Sequence, residues 1–210
     1  MATRAPAAAE LPPTMKVIEV RKVDPKPDPM SVESEPVSYW YAGSGHGRVE
    51  LPRDDKNGTY ELIIMNDPNV WMIDLISKSG RHIVDHNPPL VVHFQIFGPN
   101  VPFEKGKPNL EFANEIDYFK YKQATVSVGP RLKGKETKSY DCTVNGKKLS
   151  LLTDESDRPL RITYTDAESH ETLEYLRYDE VPSDPAFFEV PAGIKIAEEE
   201  SLQQPDETKR

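Results

Sequence analysis

The chain has 210 residues, of which 37% are hydrophobic and 29% charged, and its formal net charge is −9. That length holds one large domain with tails, and the acidic balance repels polyanions, which argues against a nucleic-acid partner. The only cysteine, Cys142, excludes an intramolecular disulfide framework and a cysteine-based zinc site. No run approaches the ~18 consecutive apolar residues of a membrane span.

Residues 1–14 are rich in Ala and Pro and hold no apolar leader segment, so they read as a disordered tether. Such a start is expected of a cytoplasmic protein, or of a periplasmic or envelope protein attached to a membrane through this arm after a leader is removed. Met15–Val23 predicts a first strand, with Ile18 and Val20 on one face. Asp24–Pro36 carries four prolines, too many missing amide donors for a sheet interior, and reads as an extended loop.

Val37–Ala42 and Arg48–Leu51 flank a glycine-rich run, Gly43 to Gly47. A phosphate cradle needs a helix N-terminus next, and a strand follows here, so the run is a hairpin loop. Thr59–Met65 and Val70–Ile76 pair around Asn66–Asn69, and Arg81–Val84 follows a Ser79-Gly80 turn. Leu90–Phe97 alternates cleanly, with Leu90, Val92, Phe94 and Ile96 on one face. Asn109 as a cap, with Phe112, Ile116 and Phe119 at near-helical intervals, predicts one helix over about 109–122.

From Thr125 the chain returns to strands. Ser139–Val144, Lys147–Asp154, Pro159–Thr165, Glu171–Val181 and Phe187–Pro191 are separated by Asn-Gly, Asp-Arg-Pro and Ser-Asp-Pro breaks. Tight turns at that rhythm select antiparallel pairing. The Glu/Gln-rich end, 197–210, reads as a disordered acidic tail. The expectation is a mainly β (α+β) fold: one domain over 15–196, a strongly curved antiparallel sheet or open half-barrel, with the mid-chain helix covering its concave face.

Arg81 to His86 is the densest polar cluster, and His82, Asp85 and His86 are candidate metal ligands, with His93 or His46 in reserve. Their spacing matches no metalloenzyme helix motif, and surface or structural roles are the ordinary reading. Paired acids such as Asp154/Glu155 and Asp166/Glu168 sit in turn-like stretches, and no nucleophile elbow, Walker loop or dinucleotide fingerprint occurs. Cys142, in an alternating strand, reads as a small buried apolar residue. Lys133, Lys135 and Lys138 near Arg131 have the density of an exposed hairpin.

The aromatic residues Trp40, Trp71, Phe94, Phe97, Phe103, Phe112, Phe119, Phe187 and Phe188 are spread over separate elements. A curved sheet with one helix has little mass to fill its own interior, and an apolar cavity is the expected consequence. Trp71, Ile73, Val92, Phe94 and Ile96 are the candidate lining residues, with Phe112, Ile116 and Phe119 as a helical lid.

The run Val144 to Thr163 resembles the strand–turn–strand of the LolA/LppX-like lipoprotein-carrier superfamily. Tyr178-Asp179 and Phe187 to Gly193 resemble its last hairpin, and Gly47 to Leu51 and Val70 to Asp74 its upstream strands. The resemblance touches most of 37–193. It implies an incomplete antiparallel barrel around a helix-capped apolar cavity that carries acyl chains in the cell envelope. Where that superfamily has N-terminal helices, this chain has a Pro-rich arm.

The leading expectation is therefore a non-enzymatic envelope protein without cofactor, binding an acyl chain or a lipoprotein. The first alternative is a packed β-scaffold for protein–protein interaction, with a filled interior and an exposed apolar edge. The second is a metal-dependent hydrolase using His82, Asp85 and His86.

Overall fold

The structure, a computed structural model, describes residues 10–85, 90–98, 101, 107–132 and 134–201. Twelve strands and one α-helix lie among them. Contacts within the span read as one domain cluster into two compact units, each built from separate stretches of sequence.

Unit 1 gathers Met1–Lys16, Tyr39–Val92 and Glu180–Arg210. Its strands are β2 (Val37–Tyr41), β3 (His46–Glu50), β4 (Glu61–Asn66), β5 (Asn69–Asp74), β6 (Ser79–Val84) and β12 (Lys195–Ser201), hydrogen-bonded in the order β2-β3-β4-β5-β6-β12. From β3 to β6 each neighbouring pair is antiparallel, with short turns joining β4 to β5 and β5 to β6. Register places Leu62 opposite Ile73 and Ile64 opposite Trp71, so the buried Leu62, Ile64 and Ile73 share one face. Gly80 lies opposite Ile73 and Ile196. A Cβ there would stand 2.7 Å from the Met72 carbonyl oxygen, so only glycine fits this crossing of β6 between its neighbours.

Three expectations fail in this unit. β12 pairs with β6 in parallel, and so the sheet is not wholly antiparallel. More than a hundred residues separate the two strands, which frees the pair from the hairpin constraint. The same strand runs to Ser201, so the chain is in the sheet beyond residue 197, where composition suggested a tail. Phe187–Pro191, expected as a strand, instead begins within a 3-10 turn, Pro185–Phe188. Pro185 suits the first turn, and the Asp184 carboxylate accepts from the Ala186 N–H at 3.0 Å.

Unit 2 gathers Val17–Ser38 and His93–Asp179. Its order is β1-β11-β10-β9-β8-β7, from β1 (Thr14–Asp24), β11 (His170–Pro182), β10 (Pro159–Thr165), β9 (Lys147–Thr153), β8 (Lys138–Val144) and β7 (Thr125–Val128). The β8–β9 hairpin turns at Asn145-Gly146, both with positive φ (52° and 79°), as the Asn-Gly signal required. Across the strands, Tyr140, Leu151, Ile162 and Leu173 form one row, and Cys142, Leu149 and Tyr164 the next. Leu151, Ile162 and Tyr164 are fully buried. Fully burying one such side chain contributes about 1.5–3 kcal/mol. Neither run of strands returns to its first member, so the fold is mainly β with a large, mostly antiparallel and open sheet, not a closed barrel.

The helix, α1, spans Glu115–Tyr121, shorter than the expected 109–122. Ala113 has φ 79°, which breaks a right-handed helix. Before it, Leu110–Phe112 is bonded to another extended stretch: Ile96 N–H donates to the Leu110 carbonyl at 3.1 Å, and Phe112 N–H to the Phe94 carbonyl at 2.9 Å. Phe112 therefore precedes the helix, and Asn109 does not cap it. Leu90–Phe97 is likewise not a ladder strand; it makes one isolated bridge, Gln95 to Glu111. Its alternation survives as burial, since Val92, Phe94 and Ile96 are buried while Val91 is exposed. Val92 N–H bonds the Ser44 carbonyl of a turn, which gives an extended stretch but no continuing ladder.

Candidate functional site

The expected lining residues fall in both units. Trp71, Ile73 and Val92 belong to unit 1, and Phe94, Ile96, Phe112, Ile116 and Phe119 to unit 2. Ile73, Val92, Phe94, Ile96, Phe112 and Phe119 are buried in the cores, and Trp71 and Ile116 are half-buried. Ile73 also borders a surface groove of about 210 Å³ beside Leu62, Met72 and Arg81. Phe112 packs edge-on to Tyr175, with centroids 6.1 Å apart, and Phe119 edge-on to Tyr118 at 5.8 Å. These are the contacts of core aromatics. Phe103 lies outside the described residues.

Among the described residues, the members of the polar cluster have separate neighbours. On β6 the His82 ring stacks on Trp71, with centroids 5.1 Å apart and planes 9° apart, and its Nε2 lies 2.8 Å from Asn69 Oδ1. Asp85 N–H donates to the Pro68 carbonyl at 2.9 Å. His86 lies outside the described residues. His46 is buried edge-on to Phe188 at 5.5 Å, and burial lowers its pKa, opposed by the nearby Asp67 carboxylate. His93 stands 2.9 Å from Glu111 Oε1 in unit 2. Among the described residues, no three His, Cys, Asp or Glu side chains are grouped as a metal site would need.

In unit 1, Arg48 packs against two aromatic rings. Its guanidinium carbon lies 5.2 Å from the Trp40 ring centre and 5.9 Å from that of Phe187, and those rings stack on one another at 5.6 Å. Its Nη2 meets Glu50 at 3.1 Å, and Tyr60 donates its hydroxyl to the same carboxylate. The group ties β2, β3 and the Pro185–Phe188 turn together through charge and ring contacts.

An unexpected feature is the edge of unit 2. β7 ends the strand order and pairs only with β8 among the described residues. Gly129 N–H donates to the Thr137 carbonyl at 2.8 Å, and bonded positions alternate along an antiparallel pair. Thr125 and Ser127 therefore turn their backbone groups to β8, and Val126 and Val128 turn theirs outward. The same two valines are 56% and 88% exposed. Around them, residues 120–138 carry six Lys or Arg against one Glu, in a chain that is acidic overall.

Beside the start of this strand lies a cleft of about 510 Å³. Register builds it from two cross-strand rows on the polar face: Thr125, Asp141, Ser150 and Thr163, then Thr143, Lys148 and Thr165. Lys122, Gln123, Cys142 and Leu149 complete the wall. Burial pushes the Cys142 thiol up to about 11, so it stays protonated at neutral pH. Sequence reading missed this surface because Ser and Thr at alternate positions look like any solvated strand face. The trace it left is Thr-Val-Ser-Val at 125–128, whose apolar residues have lysines for neighbours instead of an apolar continuation.

No protein-family model matches the chain, and no curated protein matches it significantly. Among solved structures, an uncharacterized conserved protein from Thermus thermophilus aligns over 90% of this chain and 91% of its own, with TM-score 0.49 and 12% identity. PNGF-II, in C2 and P21 crystal forms, aligns over 90% of this chain and 31% and 32% of its own, with TM-scores 0.34 and 0.37 and 11% identity. Likenesses this distant assign no activity. No helix among the described residues is long and apolar enough to cross a membrane.

Proposed function

We propose that the chain is a non-enzymatic interaction module that binds an extended, acidic segment of another protein along the free edge of β7. The carrying observation is that Val126 and Val128 present both an exposed apolar side chain and outward-facing backbone groups on one edge. An added strand would satisfy those groups, cover both valines and bring acidic side chains to the basic stretch 120–138. The four-residue length of β7 limits indiscriminate edge pairing, so charge adds selectivity. In this reading α1 covers the apolar face of the unit 2 strands as a plug, with Tyr118 and Phe119 buried, and not as the lid of an acyl cavity. The acyl-carrier reading draws less support, because six of its eight residues are core side chains.

The test is an NMR titration with the acetylated, amidated hexapeptide (Glu-Val)₃ and its (Gln-Val)₃ counterpart. Amide shifts confined to Thr125–Val128, weaker for the Gln peptide and reduced by salt, are expected. Val126→Pro removes an outward N–H without removing a bond to β8 and is expected to abolish them. No response at β7 to either peptide sinks the proposal.

A further inference from the structure

Asp141 and Lys148 share the polar face of β8 and β9 on a diagonal, since Asp141 lies opposite Ser150 and Lys148 opposite Thr143. Diagonal neighbours of this kind stand about 7–8 Å apart. Both are exposed and both line the 510 Å³ cleft, yet they form no ion pair with one another. Among the described residues, the Asp141 carboxylate takes one hydrogen bond, from Ser139 Oγ at 2.8 Å to Oδ2, and the Lys148 ammonium takes part in no hydrogen bond or ion pair. Between and beside them stand the hydroxyls of Thr143, Ser150, Thr163 and Thr165. The volume falls in the range of small-molecule sites, about 300–1,000 Å³.

We infer that this cleft is a binding site for a small zwitterion of the free α-amino acid class. An α-amino acid carries an anion and a cation a few bonds apart, and fits between Asp141 and Lys148 with its carboxylate toward the ammonium and its ammonium toward the carboxylate. The hydroxyls donate to or accept from whatever lone pairs and N–H groups the two ions leave over. Lys122, whose Nζ lies 5.2 Å from the Tyr121 ring centre and 5.5 Å from that of Tyr118, adds positive potential at one end of the cleft. A simple anion would meet Asp141 and a simple cation Lys148; only a ligand of both signs matches both. The polarity of the wall excludes an acyl chain here. This site is separate from strand addition at β7, which uses the outward edge and not the polar face.

The experiment is saturation-transfer NMR of the full chain with an equimolar mixture of the twenty free amino acids at neutral pH. Transfer to at least one is expected. Its N-acetyl and carboxamide forms, each lacking one charge, should bind about fivefold more weakly, the weight of one exposed ion pair. Asp141→Asn should weaken the free amino acid but not its N-acetyl form, and Lys148→Met should spare the carboxamide in the same way. Both side chains are exposed, and the two analogues give their answer on the unaltered protein. Transfer to none of the twenty, or singly charged analogues binding as well as the parent, overturns the inference.

Discussion

The Tyr175 hydroxyl donates to Glu115 Oε1 at 3.0 Å, and Glu115 is a carboxyl group with no solvent exposure at all. Tyr178 donates to the other oxygen at 3.0 Å, so two tyrosines of β11 hold the first residue of α1. Burial raises the Glu115 pKa, and the two hydroxyl bonds lower it by less. A carboxyl group whose folded pKa is raised binds its proton more tightly in the folded state. Its stabilising effect is complete below the ordinary glutamate value and is lost as pH rises through the folded-state value. Thermal midpoints are expected to fall over that window in the wild type and to stay level there in Glu115→Gln, whose amide oxygen still accepts. Glu115→Ala removes the carboxylate that both hydroxyls bond and should cost about 3 kcal/mol in urea unfolding. A pH profile of Glu115→Gln that parallels the wild type refutes this account.

Leu151 lies between Tyr140 and Ile162 in the buried row of unit 2. Leu151→Ala is expected to cost about 2–5 kcal/mol, the range for a buried leucine whose surroundings relax only in part. Val128→Ala, at the free edge, should change stability by less than about 0.5 kcal/mol. Equilibrium denaturation of the two variants measures the contrast. A mild Leu151→Ala would mean that the row is loosely packed, and would revive the idea of a cavity beside it.

How far the sequence foretold this depends on the range of the interactions. The hairpins β4–β5, β8–β9 and β9–β10 were legible because a turn residue and the strands it joins lie within a few positions, as at Asn145-Gly146. The burial of Val92, Phe94 and Ile96 was legible from alternation alone. Helix length was not, because the 3.6-residue spacing of Phe112, Ile116 and Phe119 continues across Ala113, whose left-handed backbone breaks the helix. The parallel β6–β12 pair was hidden by its separation in sequence. The surroundings of the candidate site residues were hidden for a related reason. His82 looked available until Trp71 and Asn69, its cross-strand neighbours, were seen to occupy it. The β7 edge could not be read at all without knowing which strand comes last.

The Cys142 thiol borders the cleft and is pushed up to about 11 by burial, with Lys122 opposing and Asp141 adding to the shift. Only the thiolate alkylates. At pH 8 the rate with iodoacetamide is expected to be about a hundredfold below that of an ordinary free thiol, rising steeply toward pH 11. The sole cysteine makes the measurement unambiguous by mass spectrometry. Rapid labelling at pH 8 in the folded protein would show that the partial burial of this thiol does not raise its pKa.

Asp74 closes the β5–β6 turn in unit 1. Its Oδ1 accepts from the Tyr60 and Ile76 N–H groups at 3.0 and 3.1 Å, and its Oδ2 from Ser77 N–H at 3.2 Å. Bonds from Ser77, then from the Tyr60 and Ile76 amides, hold its pKa down to about 2. Here the sign is opposite to that of Glu115. A depressed carboxyl pKa stabilises the fold above the ordinary aspartate value, and the effect is lost as pH falls toward 2. Asp74→Asn retains one acceptor oxygen and should lower the urea midpoint modestly, and Asp74→Ala more, with both differences shrinking on acidification. Because Asp74 and Glu115 lie in different units, the double variant Asp74→Asn with Glu115→Gln should show additive shifts in midpoint. The acid-side slope would then follow Asp74 alone and the higher-pH slope Glu115 alone, and slopes that move together would show that the two carboxyl groups are coupled.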